Sequence, residues 1–416
     1  MMNPWINSNA WSQLCPLSAS TPEHNEDTMD RHVHIVGTGI IPMNRRDRTI
    51  EDMAHHVVAD ALADADVDPA DVNLVIFGNA TAGRLVDQGC IRGQSFLRQA
   101  GLRNAGVINV DNSCAGGSSA LHMGTLATLG GSPTVLVVGV EKMWTGDRVE
   151  TLAGIEDGVP LVERIRMHRD LENPSGSVLM ALNASWCVKQ MEERDATPEQ
   201  FAAAAVKSRH HGALNPNAQF QSEITIEEVL ASHPIVPPLT RLMCSSFTDG
   251  AAAAVLSLTP DPGAPRIRTS TIRSGNGDLD YHERLAETAI AAWDDAGIDP
   301  TDADVVELHD ATSAEELYAL ESLGFYKPGD AGPATLAGDT AIGGRGVTVN
   351  TSGGLVARGH PLGATGIAQI VELTAQLRGH AGPRQVEGAR LAIAANTGGI
   401  IGTDAAFIGI HVLEAG

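Results

Sequence analysis

Residues 112–119 read NSCAGGSS and lie between GVINV (106–110) and ALHMGTLATL (120–129). The first run is short and rich in branched residues, as a buried strand is, and the second continues a helical stretch that opens in small and hydroxylated residues. The octet is then a strand-to-helix turn, with Cys114 at or near the helix N-terminus. Unpaired backbone N–H groups and the positive end of the helix dipole favour an anion there, so the sulfur has the surroundings of a nucleophilic thiolate. Gly116 and Gly117 remove side chains from the turn and leave room for a substrate to approach. A buried structural cysteine fits these residues as well, because free cysteine is among the most buried residue types. The rest of the chain has to decide.

Several other chemistries are disfavoured by the bulk of the sequence. Five cysteines, at 15, 90, 114, 187 and 244, are scattered and odd in number, which suggests neither a disulfide framework nor a zinc site. On this reading the compartment is reducing, and a cytoplasmic location is expected. His210 and His211 are adjacent, so on a helix they point apart; they read as part of a solvated basic helix, and no metal is expected. A formal charge of -23 repels nucleic acid and anionic lipid, and any phosphate-bearing ligand needs a local basic patch against that background. No run of 18 uncharged apolar residues exists, so no membrane span is implied.

The elements that must position Cys114 occur twice. Residues 1–30 lack the basic start and apolar core of a signal peptide and read as a flexible N-terminal tail. After it, HVHIVGTGI (32–40) reads as strand and turn, TIEDMAHHVVADALADA (49–65) as an amphipathic helix and NLVIFGNAT (73–81) as a buried strand. The same order returns when the helix ERLAETAIAAWDDAG (283–297) leads into IDPTDADVVELHDAT (298–312), which aligns without a gap on VDPADVNLVIFGNAT (67–81). An internal repeat of this length is a fold-level signal. The cysteine turn has its counterpart too: VTVN (347–350) is strand-like, and GHPLGATG (359–366) opens the helix AQIVELTAQLRG (368–379). Each half closes with two strands, TVLVVGV (134–140) and AAAAVLSL (251–258) in the first, RLAIAAN (390–396) and AAFIGIHVL (405–413) in the second.

Such alternation gives α/β layers with mostly parallel sheets covered by helices. Two halves of this kind, 31–265 and 266–416, set corresponding helix N-termini face to face across a pseudo-twofold axis, and Cys114 meets His360. The segment of about 142–240 breaks the repeat, is rich in Arg, His, Asn and Pro, and is too long for a connector. It reads as an inserted loop domain lying over the first half.

From about residue 32 onward the chain resembles the thiolase family, and within it the sterol-carrier-type branch without the lipid-carrier domain. The resemblance rests on NSCAGGSSA around Cys114, VKSRHHGALNPNAQF (206–220), PLTRLMCSSFTDGAAAAVL (238–256), ELHDATSAEELYALESLGF (307–325), SGGLVARGHPLGATG (352–366) and ANTGG (395–399). It implies a thiolase fold: duplicated α/β/α halves in a layered αβαβα arrangement with an inserted loop domain. It also implies a homodimeric acyl-CoA C-acyltransferase that carries an acyl group on a cysteine thioester and ends in thiolytic cleavage or Claisen condensation. Coenzyme A thioester is then a substrate, and no cofactor is bound permanently. Matched residue by residue, Cys114 is the nucleophile and His360 the base that deprotonates it. The N–H groups of Cys114 and Gly398 form one oxyanion site, and the side chains of His309 and His360 line the other. Ser245, Arg209 and Asn396 fall at substrate or coenzyme A contacts, and Asp310 anchors a loop through its carboxylate. Cys244 and Cys90 lie outside the catalytic motifs and read as core residues.

Two departures from the family pattern matter. Many thiolases carry a second cysteine that shuttles the α-proton, and the corresponding places here read Asn396 and Ala311. Proton transfer then falls to His309 or His360, or no α-proton is removed. On this division, acylation needs Cys114 and His360, and carbon–carbon bond formation needs His309 as well. Two alternatives follow from the resemblance: an acyltransferase or condensing enzyme of specialised metabolism fed by an acyl-carrier protein, and an aldolase or scaffold subunit beside a small OB-fold, zinc-ribbon partner. Retention of Cys114 with both histidines counts against the last.

Overall fold

The computed structural model describes residues 31–44, 48–170 and 177–416. The tail read over residues 1–30, with Cys15, lies outside the described residues. The aligned repeat builds the same local structure twice. Asp68 caps a single 3-10 turn, Pro69–Asp71, by accepting the Ala70 N–H at 2.8 Å, and the strand Leu74–Gly78 follows. Asp299 does the same for Pro300–Asp302 through the Thr301 N–H at 2.9 Å, ahead of Val305–Glu307. Proline suits the first position of such a turn because its missing N–H would have had no partner there. The helices before these turns are also capped as their sequences require, Ile50–Asp64 by Thr49 and Tyr281–Ala296 by a reciprocal Asp280/Glu283 box.

The strands join into one ten-stranded sheet in the order Thr348–Val349, Val305–Glu307, Leu391–Ile401, Asp404–Glu414, Arg266–Arg273, Val33–Ile40, Gly250–Ser257, Thr134–Glu141, Leu74–Gly78, Gly106–Val110. Each half supplies five strands in mirrored order. The halves meet at a seam of only two residue pairs, Val33 with Ile267 and His34 with Arg266. Between the two five-stranded sets lie the helices Gly116–Leu129 and Leu362–Leu377, packed on each other and on strands of both halves. Ile50–Asp64 covers the outer face of the first set and Tyr281–Ala296 that of the second, which completes the αβαβα layering.

Four details differ from the sequence reading. The sheet is mixed rather than mostly parallel: the four outer pairings are parallel and the five inner ones antiparallel. The last strand of each half needs no helical crossover, and a parallel partner would demand one. Gly106–Val110 is an edge strand and not a buried one, with Ile108 45% exposed, because it pairs only with Leu74–Gly78. Cys90 is exposed, and Cys244 is half-buried against a cavity.

The loop domain makes polar contacts with both halves: Arg84 of the first half pairs with Asp157 at 2.6 Å and the Met43 N–H donates to the Asn217 carbonyl at 2.9 Å, while further contacts reach the second half. Thr312 donates to Asn183 at 2.9 Å, Gln190 to the Ala314 carbonyl at 3.1 Å, and Asn215 to the Ser352 carbonyl at 2.8 Å. Within it, the Pro198–Ala213 helix is mostly buried and not solvated: Lys207 pairs with Glu316 at 2.5 Å, and His211 lies 3.0 Å from the Asn350 carbonyl. His210, on the other side, is exposed and meets Glu223 at 2.8 Å.

The two central helices touch backbone to backbone. A Cβ on Gly117 would fall 2.8 Å from the Ile367 nitrogen, and one on Gly366 would fall 2.4 Å from the Ser118 nitrogen. Gly117→Ala and Gly366→Ala should therefore each lower stability by about 1–3 kcal/mol, the usual cost of overpacking. Gly89→Ala, where an added Cβ meets nothing within 4 Å, should stay within about 0.5 kcal/mol. Urea unfolding midpoints of the three variants check both statements.

Candidate functional site

Cys114 sits in the 3-10 turn Ser113–Ala115 that runs straight into the Gly116–Leu129 helix. Ser113 adopts φ +52°, in the left-handed region that a side chain rarely enters, and this kink lets the strand stop at Val110 and the helix begin within two residues of the sulfur. The Leu391–Ile401 strand crosses the turn at Gly398. A Cβ there would lie 2.0 Å from the Asn112 carbonyl oxygen and 2.6 Å from the Ala115 nitrogen, so only glycine permits the crossing.

His360 and His309 come from the second half. His360 precedes the Leu362–Leu377 helix, and His309 follows the Val305–Glu307 strand. Two contacts hold the His309 loop: the Leu308 N–H donates to Asn350 at 2.8 Å, and the Leu355 N–H donates to Asp310 at 2.7 Å. Asp310 thus has the anchoring geometry expected of it. Cys114 Sγ and one ring nitrogen of each histidine all lie within 4.8 Å of one another, and the two rings meet edge to face at 5.2 Å between centroids.

The rings are held by different partners at Nδ1. The Thr365 hydroxyl lies 2.8 Å from His360 Nδ1 and donates its own proton to the Pro361 carbonyl at 2.9 Å. It must accept from the ring, so neutral His360 carries its proton on Nδ1 and keeps a lone pair on Nε2. Burial, with His309 and Arg358 nearby, pushes the His360 imidazole well below the ordinary histidine value. His309 Nδ1 instead lies 3.1 Å from the Glu315 carboxylate. Burial opposes a charge on this ring, but Glu315 and the Cys114 sulfur outweigh it and push His309 up to about 10. The Cys114 sulfur adds to the rise through both a hydrogen-bond contact with the ring and its charge.

Three polar residues at the site went unmarked in the sequence. Glu315 is buried and accepts a 2.5 Å hydrogen bond from Tyr281, whose hydroxyl also meets Thr397. Two adjacent glutamates gave the only signal, and neighbours on a helix point apart: Glu316 goes to Lys207 and Glu315 to His309.

A cavity of about 880 Å³ opens above the cluster, lined by Cys114, His309, His360 and Gly398 together with Ser245 and Arg209. Asn396 does not line it. Successive strand residues face opposite sides, so Thr397 borders the cavity while the Asn396 carboxamide is fully buried elsewhere. Arg148 and Arg241, both exposed, also border the cavity, and Glu315 is the one carboxylate among its described lining residues. The Cys114, His309 and His360 atoms lie close enough to hold a small metal ion, which would have to displace the protons of the thiol and of His309.

Among known proteins, residues 33–259 match the family described as thiolase, N-terminal domain, and residues 269–410 match the thiolase C-terminal domain-like family. The chain is 35% identical over 374 residues to an acetyl-CoA acetyltransferase of Methanothermobacter thermautotrophicus, covering 87% of this chain and 94% of that protein. It is 34% identical over 403 residues to sterol carrier protein 2 of Homo sapiens, covering 88% of this chain and 70% of that protein. Among solved structures it is similar in fold to the Ltp2-ChsH2(DUF35) aldolase, with a TM-score of 0.74 at 22% identity over 92% of this chain and 98% of that one.

The two histidines affect stability in opposite directions. The His309 pair contributes fully below the ordinary histidine value near 6.5, and its contribution is lost as pH rises through about 10. His360 destabilises the fold as pH falls below about 6.5, because the unfolded ring takes a proton that the buried ring refuses. Histidine-selective NMR between about pH 7 and 9 should show His309 cationic and His360 neutral throughout, against a reference histidine titrating near 6.5.

Proposed function

The chain belongs to the thiolase family, and from that premise we propose that it is an acyltransferase that takes the acyl group of a coenzyme A thioester onto Cys114. The observation that carries this reading is the convergence of the Cys114 sulfur with His309 and His360 on one cavity. A thioester carbonyl calls for a soft nucleophile, a base and donors aimed at the developing oxyanion. Cys114 supplies the first. Neutral His360, with its lone pair on Nε2, suits the base role better than the donor role the family match also gave it. The backbone N–H groups of Cys114 and Gly398, where strand and turn cross, are our candidates for one oxyanion site, and the cationic His309 ring for the other.

The cavity also suits the substrate class. Arg148, Arg241 and Arg209 border it in a chain of net charge -23, which is the local basic patch that a phosphorylated pantetheine arm needs. Arg209 is tied to Ser222 at 2.8 Å and stacks on Phe220, so it contributes a fixed charge rather than a mobile one. Ser245 borders the same space and is our candidate for a pantetheine contact. With Ala311 and Asn396 in place of a second thiol, the acceptor loses its proton to a histidine.

We also propose a homodimer built on the edge of the first sheet, where Ile108 on the last strand and Met123 and Leu126 on the Gly116–Leu129 helix are exposed. Light scattering should give twice the 43.5 kDa chain mass, and Ile108→Lys should shift it toward the single chain.

Incubation with acetyl-CoA or a longer acyl-CoA should add one acyl mass to the protein, located on Cys114 by peptide mass spectrometry. Cys114→Ala should abolish the adduct; a label that persists on that variant moves the nucleophile elsewhere. His360→Ala should slow overall acyl transfer by roughly 10² to 10⁴, as expected on removing a general base.

A further inference from the structure

The two histidines that flank Cys114 differ in what stands behind them. Behind His360 is a neutral hydroxyl whose proton is already given to the Pro361 carbonyl. Behind His309 is a buried carboxylate, whose Oε1 meets the ring and also accepts from the Tyr281 hydroxyl, which in turn meets Thr397. A carboxylate shielded from water and in contact with an imidazole stabilises the protonated ring far more than a hydroxyl does, because the low local dielectric strengthens the ionic contact. The other nitrogen of that ring, Nε2, is buried, and the ring belongs to the cluster around the sulfur.

We propose that Glu315 is a positioning residue that makes Cys114, His309 and Glu315 a thiolate–imidazolium–carboxylate triad, and so leaves His360 free as the base for the acyl acceptor. The proposal rests on the reading of Cys114 as the acyl carrier, and it reverses the division of labour expected from the sequence, where His360 served acylation. In the resting enzyme the Cys114 proton resides on His309. The sulfur attacks the thioester carbonyl carbon, a new carbon–sulfur bond forms, the bond to coenzyme A breaks, and the departing thiolate takes the proton from His309 Nε2. His360 Nε2 then takes the proton of the acceptor, whose electron pair bonds to the acyl carbon as Cys114 leaves as a thiolate. Passage of that proton from His360 to the adjoining His309 ring restores the starting state, so one thioester and one acceptor yield one acylated acceptor and one free thiol.

The test is the pH dependence of Cys114 alkylation by iodoacetamide, which needs no acyl substrate. In the unaltered protein the rate at about pH 6 should stay within about threefold of that at about pH 9, because only the thiolate reacts. In Glu315→Gln the rate at about pH 6 should fall by about tenfold or more and recover by about pH 9, and Glu315→Asp should restore part of the loss. A purely structural role would change expression or unfolding without moving this profile. An unchanged profile in Glu315→Gln overturns the proposal. So does a tenfold fall between pH 9 and 6 in the unaltered protein, which settles the matter even if the variant fails to fold. A flat profile together with no acyl adduct would refute acyl transfer while leaving the triad standing. An adduct with a steep profile would do the reverse.

Discussion

The site depends on one contact, the approach of two helix starts at backbone distance. Gly116 and Gly117 on one helix face Gly363 and Gly366 on the other, and a Cβ on Gly139 would also fall 2.3 Å from the Gly363 carbonyl oxygen. Side chains would hold the helices apart by more than a methyl group, and the residues just ahead of them would move apart by the same amount. Cys114 and His360 occupy those leading positions. The packing of the middle layer therefore sets the distance between sulfur and ring, and the surrounding sheets serve to hold the helices in register.

Buried carboxylates fasten the loops around this contact. Glu141 is fully buried and accepts from Ala80, Thr81 and Asn79 of the first half and from the Gly363 N–H of the second, at 2.7–3.0 Å. Burial raises its pKa despite these donors. Glu307 plays a similar part near His309, accepting from Ser352 at 2.6 Å and facing the buried Arg358 at 3.3 Å. Removing one partner from such an arrangement leaves a charge or a dipole stranded in a dry interior, which costs more than a surface pair ever contributes. Glu141 and Glu307 thus tie the strand ends and loops around the site to one another.

Much of this was legible in the sequence. The gapless repeat between residues 67–81 and 298–312 announced the duplicated halves, and each copy forms the same capped turn and strand. The glycines beside Cys114 and within GHPLGATG pointed to a close approach, although the helices begin at Gly116 and Leu362, earlier than their apolar runs suggest. What the sequence hid were choices between neighbours. Glu315 and Glu316 are the same residue type at adjacent positions, and only the orientation of the helix decides which one reaches His309. Asn396 and Thr397 are likewise separated by the pleat of a strand. The contacts of the loop domain with the second half were hidden as well, because buried partners such as Glu316 and Asn350 carry no mark of their role in a linear reading.

The origin of the site residues bears on what each half holds. Cys114 belongs to the first half, while His309, His360 and Glu315 belong to the second, and the sheets themselves touch through only two residue pairs. Either half closing on its own would form a turn around the cysteine or a pair of histidines, but not both. The cluster therefore exists only where both halves are in place. A fragment holding either half alone carries only part of the cluster: the thiol without its two imidazoles, or the imidazoles and Glu315 without the thiol.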